Sequence, residues 1–416
     1  MKIYIKGIDN EIIMENIFIS GSKSESNRLI ILQKLFDGIT INNLSDSDDT
    51  HHLQHALFTN DISINIGHAG TAMRFLTAFF ATQSNRTVVL SGSERMHQRP
   101  IKILVDALRS LGAEIIYTEK DGFPPLQIRG KKLIKNNVKI NGNISSQYIS
   151  ALLLIAASLP NGLSIQLLGD ITSIPYIKMT LSLLNRVGVS TNFEGQYIHV
   201  KPYVKPKEQA LVVESDWSSA SYFYSIIALS KVGSEIGLSS YSKESLQGDS
   251  VLAKIYLHFG VETSFKENSI LLRKTKESSK DLLKIDLNKA PDIAQTIAVT
   301  SFGLGISCNL DGLHTLKIKE TDRLEALQKE LSKLGATISV TDDSLNLKAS
   351  SKINSNISIE TYNDHRMAMA FTPLAIKTPI QILDAGVVTK SYRNFWEDMQ
   401  QIGFQFNKLL IILSNT

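Results

Sequence analysis

The stretch LVDALRSLGAEIIY, residues 104–117, predicts an amphipathic helix, a break at Gly112 and a β-strand. Apolar residues recur at helical spacing before the glycine, and residues that favour strands follow it. A glycine directly after a helix adopts the left-handed conformation that ends the helix, because it has no Cβ. The stretch therefore predicts one helix-to-strand junction of an α/β protein.

The same pattern recurs along the chain at intervals of 68–76 residues. Five copies place a glycine at the helix end, and these glycines are Gly112, Gly188, Gly260, Gly335 and Gly403. A weaker sixth copy, residues 53–66, has Asn60 at this place, and asparagine is the usual substitute for glycine there. We expect all six positions to end a helix in the left-handed conformation.

A second pattern has the same period and consists of a polar cluster, an apolar helix, a turn and a strand. Its six copies begin at residues 22, 67, 143, 215, 290 and 363. Together the two patterns predict six pseudo-repeated α/β units in two similar lobes. A long repeat array is the alternative, although units of about 70 residues exceed those of common solenoids.

Positively charged residues stand where the helices of the second pattern begin. These residues are Lys23, Arg28, Arg74 and Arg366. A helix N-terminus favours anions, so cations are disfavoured there unless an anion neutralises them. Ordinary N-capping explains serine and aspartate at such positions but does not explain these cations. The pattern therefore predicts binding of anionic ligands at several helix starts.

The composition fits a compact protein of two domains. The chain has 416 residues, 43% hydrophobic content and a net charge of +4. Its one cysteine, Cys308, excludes an internal disulfide and indicates a reducing compartment. The longest apolar run is about half the length of a membrane span, and the N-terminal residues alternate as in a strand. We expect a cytoplasmic protein without signal peptide or membrane span.

Two further stretches place charges beside helix starts. KIKETDRLEAL brings Lys319, Glu320 and Arg323 together, and YNDHRMAMA sets Asp364 and His365 before an apolar helix. Charges next to a core helix favour a functional site, whereas a solvated helix end is the alternative for the first stretch.

Metal and nucleophile chemistry are not expected. The chain lacks the paired histidine spacing of a zinc site and the Gly-x-Ser-x-Gly nucleophile motif. The histidines of HHLQH, residues 51–55, have no carboxylate partner in pattern and are predicted to lie on a helix surface. We therefore expect neither a metal nor an organic cofactor.

Taken together, the motifs resemble the 5-enolpyruvylshikimate-3-phosphate synthases over nearly the whole chain. They occur in that family's order: GSKSESNR, LSDSDDT, GHAGTAMR, RPI, GFPPLQI, SSQ, PYI, PDIAQT, KETDRL, YNDHRMAMA and TKS. The combination of KETDRL with NDHRMAM is highly specific. The resemblance implies the two-lobed enolpyruvyl-transferase fold, an inverse α/β barrel of six βαβαββ units, three per lobe. It implies one lobe of residues 1–19 plus 216–416, a second of residues 20–215, and an active site in the cleft between them.

The resemblance also implies an activity. The enolpyruvyl group of phosphoenolpyruvate would be transferred to the 5-hydroxyl of shikimate 3-phosphate, with release of phosphate, in chorismate and aromatic amino acid biosynthesis. Matching motif positions assign shikimate 3-phosphate to Lys23, Ser24, Arg28, Ser145, Ser146, Gln147, Ser173, Tyr176, Asp292 and Lys319. They assign phosphoenolpyruvate to Lys23, Gly70, Arg99, Gln147, Arg323, Arg366 and Lys390.

The family mechanism is addition followed by elimination through a tetrahedral ketal. Glu320 is our candidate for the proton donor to the enol carbon, and Asp292 is the candidate acceptor of the hydroxyl proton. Lys23 is a candidate for an assisting acid. Surrounding cations favour the ionised form of a carboxyl group, whereas a donor must be protonated, and the sequence leaves this conflict open.

The sequence departs from the family pattern at three positions. His68 and Phe75 stand where many members carry Asn and Pro, so phosphoenolpyruvate affinity and glyphosate sensitivity do not carry over from the resemblance. Thr315 stands where some members have an Asn that contacts the shikimate phosphate, and this contact is not carried over either.

Two other functions compete with this interpretation. The enolpyruvyl transferase of UDP-N-acetylglucosamine shares the fold but uses a loop cysteine in the other lobe, whereas Cys308 is apolar-flanked and predicted to be a buried structural thiol. A nucleic-acid-binding repeat protein would need a basic stripe interleaved with aromatic residues. The expected partners are therefore the two small anionic substrates, with no nucleic acid or membrane, and we expect a monomer.

Overall fold

The computed structural model describes residues 1–8, 11–143, 145–172, 174–203 and 208–409. The chain divides into two compact units. One is discontinuous and comprises Met1–Ser20 and Ser215–Thr416, and the other is continuous and comprises Gly21–Glu214. These boundaries lie one residue from those that the resemblance implies. No helix in the described ranges is long and apolar enough to cross a membrane.

Twelve α-helices lie in the described part of the chain, six in each unit. In chain order they are α1 Lys23–Leu35, α2 Asp48–Phe58, α3 Gly70–Thr82, α4 Lys102–Ser110, α5 Ser146–Ala156, α6 Ile174–Arg186, α7 Trp217–Leu229, α8 Leu252–Ile255, α9 Ala294–Gly303, α10 Arg323–Lys333, α11 His365–Phe371 and α12 Phe395–Ile402.

The described residues also form 22 strands in six sheets, three in each unit. In chain order the strands are β1 Lys2–Lys6, β2 Ile13–Ile17, β3 Ile39–Asn42, β4 Ser63–Asn65, β5 Thr87–Ser91, β6 Glu114–Tyr117, β7 Leu126–Arg129, β8 Asn137–Asn141, β9 Leu163–Leu168, β10 Thr191–Glu194, β11 Tyr197–Val200, β12 Gln209–Val212, β13 Glu235–Ser239, β14 Val261–Lys266, β15 Ser269–Lys274, β16 Leu283–Asp286, β17 Cys308–Asp311, β18 Ile338–Val340, β19 Leu345–Leu347, β20 Ile357–Ile359, β21 Ile380–Ile382 and β22 Gln405–Leu409.

Five sheets share one strand order, which the sheet β4-β5-β7-β6 illustrates. Strands β4 and β5 are parallel, with α3 as the crossover between them, and α4 then leads to the antiparallel hairpin β6–β7. Parallel neighbours need such a crossover, whereas a hairpin needs only a turn. This βαβαββ arrangement recurs in the sheets β8-β9-β11-β10 and β16-β17-β19-β18 and confirms the predicted repeat.

The chain passes between the two units within two of the repeats. Strand β2 pairs in parallel with β13 of the discontinuous unit, yet the chain continues from β2 into α1. Strand β12 pairs in parallel with β3 of the continuous unit, yet the chain continues into α7. In the described residues the sheet β12-β3 has two strands, because α2 leads directly to β4 of the next sheet.

The five glycines of the first sequence pattern have the predicted left-handed backbone. Their φ angles lie between 79° and 110°. The expectation for Asn60 is wrong, because its φ is not positive. Helix α2 ends at Phe58, and the C-cap residue Thr59 is extended with φ −73° and ψ 150°, so the chain leaves this helix without a left-handed residue.

Helices alternate in burial along the chain. Helix α3 buries every residue from Gly70 to Ala81, and α11 is buried throughout, as their apolar sequences predict. By contrast, α4 buries one face, formed by Leu104, Val105, Ala107 and Leu108. Cys308 lies in the core, as predicted, and burial raises the pKa of its thiol to about 12. The buried helices α3 and α11 include two residues of the candidate site, Gly70 and Arg366.

Candidate active site

Six charged residues form one cluster in the discontinuous unit, here called the carboxylate cluster: Asp292, Lys319, Glu320, Arg323, Asp364 and Arg366. Helix starts position four of them, Asp292, Arg323, Asp364 and Arg366. Asp292 lies in the 3-10 turn Pro291–Ile293 before α9, and Arg323 is the first residue of α10. Asp364 caps α11 by accepting a hydrogen bond from the Arg366 N–H at 2.8 Å.

Arg323 lies at the centre of this cluster and is 2% exposed. Its Nη1 donates to Asp292 Oδ1 at 2.9 Å, and its Nη2 donates to Glu320 Oε2 at 2.8 Å. Its Nε donates to Asp364 Oδ2 at 2.7 Å. Burial lowers the pKa of Arg323, but the three carboxylates more than compensate and hold this pKa above its ordinary value. The guanidinium therefore fixes all three carboxylates.

Asp292 has cations on both carboxylate oxygens. Lys319 Nζ lies 3.3 Å from Oδ1, and Arg366 Nη2 lies 3.4 Å from Oδ2. Burial would raise the pKa of Asp292, but Lys319, Arg366 and Arg323 together hold this pKa well below its ordinary value. Burial also lowers the pKa of Lys319, against the attraction of Asp292. Asp292 is thus an ionised carboxylate that can accept a proton.

Two residues that the sequence analysis missed extend the cluster. Arg366 Nη2 donates to Ser218 Oγ at 3.2 Å, and the Ser218 hydroxyl donates to the buried carboxylate of Asp249. Burial, with a further contribution from Asp292, raises the pKa of Asp249 to about 6. An aspartate in a Gly-Asp-Ser turn is ordinary capping chemistry, so no sequence signal marked Asp249 as a site residue.

Lys390 lies beside the carboxylate cluster. Its Nζ donates to the backbone oxygen of Asn363 at 2.6 Å, and Asn363 directly precedes Asp364. One nitrogen of Arg366, Nε, is buried and has no hydrogen-bond partner within the described ranges. The arrangement thus brings together all the residues predicted in this unit, and it leaves one buried guanidinium donor unused.

In the continuous unit, Arg28 is held by hydroxyl groups. Its Nε donates to Thr180 Oγ1 at 2.7 Å, and its Nη2 donates to Ser150 Oγ at 2.9 Å. Its Nη1 donates to the backbone oxygen of Ser24 at 2.6 Å. The Arg28 Cζ also lies 5.4 Å from the ring centroid of Phe75. Burial lowers the pKa of Arg28 to about 10, which leaves the side chain charged at neutral pH.

A second group in the same unit surrounds Gly70. Arg74 Nη1 donates to the backbone oxygen of Gly70 at 3.1 Å, and burial, reinforced by Arg99, lowers the pKa of Arg74 to about 10. A Cβ added at Gly70 would lie 2.9 Å from Arg99 Cζ. Arg99 is buried, and its Nε has no hydrogen-bond partner among the described residues. Glycine at position 70 thus allows two arginines to approach one helix start.

The other predicted residues of this unit lie at helix starts. Lys23 begins α1, and Ser145 caps α5 by accepting from the Gln147 N–H at 3.4 Å. Gln147 Nε2 in turn donates to Thr71 Oγ1 at 3.3 Å, next to Gly70. Ser146 is the first residue of α5, and the Tyr176 backbone oxygen in α6 accepts from the hydroxyl of Thr180, the partner of Arg28. Ser173 lies outside the described residues.

The three departures from the family pattern differ in their surroundings. Phe75 is buried beside Arg28, and His68 lies in the loop before α3. The Thr315 hydroxyl oxygen is buried with no hydrogen-bond partner in the described part of the chain. No group of three or more potential metal-ligating side chains occurs among the described residues.

The sequence matches a family model. Residues 54–399 match the model described as EPSP synthase (3-phosphoshikimate 1-carboxyvinyltransferase). The chain therefore belongs to the EPSP synthase family.

Curated relatives carry the same name. The 3-phosphoshikimate 1-carboxyvinyltransferase of Bacteroides fragilis is 44% identical over 398 residues, which cover 94% of this chain and 96% of the relative. That of Actinobacillus succinogenes is 37% identical over 420 residues, which cover 92% and 95% of the two chains. A solved structure of EPSP synthase from Acinetobacter baumannii has a TM-score of 0.79 at 20% identity and covers 98% of this chain and 100% of that one. The last comparison establishes the two-lobed α/β fold.

Proposed function

We propose that this chain transfers the enolpyruvyl group of phosphoenolpyruvate to the 5-hydroxyl of shikimate 3-phosphate and releases phosphate. Family membership supports this reaction, and the relatives do not favour the UDP-N-acetylglucosamine alternative. One structural observation carries the proposal. Arg99 and Arg366 each keep a buried Nε without a partner in the described ranges, and both are assigned to phosphoenolpyruvate. A buried guanidinium donor of this kind costs free energy until an anion accepts its hydrogen bond.

The remaining anion contacts follow from the same assignment. Shikimate 3-phosphate would be bound by Lys23, Ser24, Arg28, Ser145, Ser146, Gln147, Ser173, Tyr176, Asp292 and Lys319. Phosphoenolpyruvate would be bound by Lys23, the Gly70 backbone, Arg99, Gln147, Arg323, Arg366 and Lys390. The hydroxyls of Ser150 and Thr180 support this proposal, because they orient the Arg28 guanidinium before any ligand binds.

The addition step needs one proton donor and one acceptor. Glu320 would give a proton to the methylene carbon of phosphoenolpyruvate, while the 5-hydroxyl oxygen attacks the neighbouring carbon and gives its proton to Asp292. Elimination would then return a proton from the new methyl group to the Glu320 carboxylate, while the bond between the ketal carbon and the phosphate oxygen breaks. Lys23 would assist as an acid at the leaving phosphate.

The contacts of Arg323 suggest how Glu320 could become an acid. In the structure Nη2 of this guanidinium lies 2.8 Å from Glu320 Oε2, and a cation beside a carboxyl group favours its ionised form. A phosphoenolpyruvate carboxylate bound to Arg323 would compete for this cation and add negative charge nearby. Both effects favour the protonated form of Glu320, so substrate binding would create the proton donor.

The test is phosphate release from phosphoenolpyruvate with shikimate 3-phosphate or UDP-N-acetylglucosamine as acceptor. Release is expected with shikimate 3-phosphate only, and Glu320→Gln and Asp292→Asn are each expected to slow it by about 100-fold or more. Glu325→Gln is the matched control, because Glu325 is exposed on α10 and pairs with Lys329. Release with the other acceptor, or with neither acceptor from folded protein, would contradict the proposal.

We propose that the chain acts as a monomer in the cytoplasm, with the two substrates as its only partners. Light scattering on the purified chain, at concentrations above and below those of the assay, measures the mass and would reveal an oligomer.

A further inference from the structure

Two consecutive residues before α11 have a left-handed backbone. Tyr362 has a φ of 52° and Asn363 a φ of 57°. Residues with a Cβ disfavour this conformation, so such a turn persists where surrounding contacts hold it. Because the turn directly precedes Asp364 and Arg366, its geometry determines where both side chains begin.

Glu330 holds this turn from helix α10. Its side chain is 0% exposed. It accepts hydrogen bonds from the Glu360 N–H at 3.0 Å and from the Tyr362 hydroxyl at 2.6 Å. Lys333 Nζ also lies 2.7 Å from both of its carboxylate oxygens. A buried carboxylate with this many donors is satisfied, and it ties residues 360–362 to α10 at two points.

The turn that Glu330 holds contacts Lys390 and leads directly into Asp364 of the carboxylate cluster. Asn363 accepts a hydrogen bond from Lys390 Nζ at 2.6 Å through its backbone oxygen. The next residue, Asp364, accepts from Arg323 Nε at 2.7 Å. Arg323 begins α10, and Glu330 lies about two turns further along the same helix. Helix α10 therefore carries Arg323 at its start. Through Glu330, the same helix also fixes the turn that lies beside Lys390 and Arg366.

We propose that Glu330 is a positioning residue for phosphoenolpyruvate binding. It acts through the Tyr362–Asn363 turn, which sets the places of Lys390 and Arg366. This inference rests on the proposed function, because the roles of these two cations in binding phosphoenolpyruvate belong to it. Most residues assigned to shikimate 3-phosphate lie in the continuous unit, so a relaxed turn weakens the binding of phosphoenolpyruvate selectively.

Steady-state kinetics of Tyr362→Phe and of the Glu330→Gln and Glu330→Ala pair test this inference. Tyr362→Phe is expected to raise the KM for phosphoenolpyruvate about fivefold or more, since it removes one hydrogen bond to a charged group. The KM for shikimate 3-phosphate is expected to stay within about twofold. Glu330→Gln is expected to retain more affinity than Glu330→Ala, because the amide oxygen still accepts a hydrogen bond.

Two matched controls lie in the same unit. Tyr4→Phe removes an exposed tyrosine hydrogen bond to Asn356, and Glu325→Gln changes an exposed carboxylate on α10. Both controls are expected to leave both KM values unchanged.

The inference is overturned if folded Tyr362→Phe and Glu330→Gln keep the parent's KM for phosphoenolpyruvate. An equal rise of both KM values would also overturn it, because a merely structural role predicts that result. Activity of the unsubstituted chain decides the proposed function separately. If that chain turns over neither acceptor, calorimetric titration with phosphoenolpyruvate gives the same comparison between variants and controls.

Discussion

Arg323 Nη1 lies 2.9 Å from Asp292 Oδ1, so a guanidinium assigned to phosphoenolpyruvate already holds the carboxylate assigned as proton acceptor. The same contact helps to keep the pKa of Asp292 well below its ordinary value, which makes Asp292 a weak base. An anion that binds Arg323 would weaken this contact and so strengthen the base. In the proposed mechanism, the contact between Arg323 and Asp292 would thus link the binding of phosphoenolpyruvate to the basicity of Asp292.

Arg323→Lys is expected to cost both stability and activity. A lysine offers a single ammonium group, whereas the arginine fork reaches Asp292, Glu320 and Asp364 at once. Leaving buried carboxylates unpaired should lower the free energy of unfolding by about 3 kcal/mol. Urea unfolding and phosphate release measure the two effects. Lys329→Arg, on an exposed face of α10, serves as control and should change neither.

Gly70→Ala is expected to impair phosphoenolpyruvate binding without unfolding the protein. The added methyl group would meet the end of the Arg99 side chain, which can move aside, and Gly70 does not have a left-handed φ. The displaced Arg99 should raise the KM for phosphoenolpyruvate by about tenfold, while the thermal midpoint changes little. Gly386→Ala is the matched control, because its new methyl group would meet nothing within 4 Å. An unchanged KM would argue against the role of Arg99.

Arg28→Lys is expected to impair the binding of shikimate 3-phosphate and not that of phosphoenolpyruvate. Lysine cannot donate to Thr180, Ser150 and the Ser24 carbonyl in the geometry of the fork. The KM for shikimate 3-phosphate should rise by about tenfold or more, and that for phosphoenolpyruvate should stay nearly constant. If both KM values rise together, Arg28 does not distinguish the substrates and its assignment is wrong.

Glu25→Gln is expected to stabilise the protein at alkaline pH. Burial, opposed by Arg186 and reinforced by Glu214, raises the pKa of Glu25 from 4.5 to about 7. The folded state therefore binds this proton more tightly than the unfolded chain does. The resulting contribution to the free energy of unfolding is fully present below pH 4.5 and is lost as the pH rises through about 7.

The glutamine variant stays neutral and avoids this loss. Above pH 8 its free energy of unfolding should exceed that of the parent by roughly 1–3 kcal/mol, and near pH 4.5 the two should converge. Urea unfolding at both pH values provides the measurement, with exposed Glu325→Gln as control. If the difference in free energy of unfolding between the variant and the parent does not grow as the pH rises, the prediction is wrong. Glu25 would then be ionised in the folded state at no cost in stability.

Local patterns predicted much of this structure, and tertiary contacts decided the rest. The five glycines and the helix starts follow from rules that act over a few residues, and the structure has them as predicted. The glycine-or-asparagine rule fails at Asn60, because Thr59, the residue that follows α2, is extended and the chain continues from it to β4. Local sequence patterns do not predict the pairing of β2 with β13 or of β12 with β3. The two strands of each pair are far apart in the chain.

The candidate site shows the same division. Motif positions, together with cations at helix starts, were enough to predict Arg323, Arg366 and Asp292 as candidate site residues. The sequence analysis did not predict Asp249 and Glu330, because the local sequence around each is that of an ordinary turn or amphipathic helix. Only the fold brings Asp249 to Ser218, and only the fold places Glu330 beneath Tyr362.

The place of β1 in its sheet has a consequence for biosynthesis. This strand precedes the other described strands along the chain, and it lies between β21 and β22, so Ile3 pairs with Ile382 and Lys408. Its hydrogen-bonding edges therefore have no native partner until β21 and β22 have been translated. The continuous unit can fold earlier as its residues emerge, whereas the discontinuous unit waits for its last strands. During this delay β1 presents an apolar face and open edges, and a segment of this kind is one that chaperones cover.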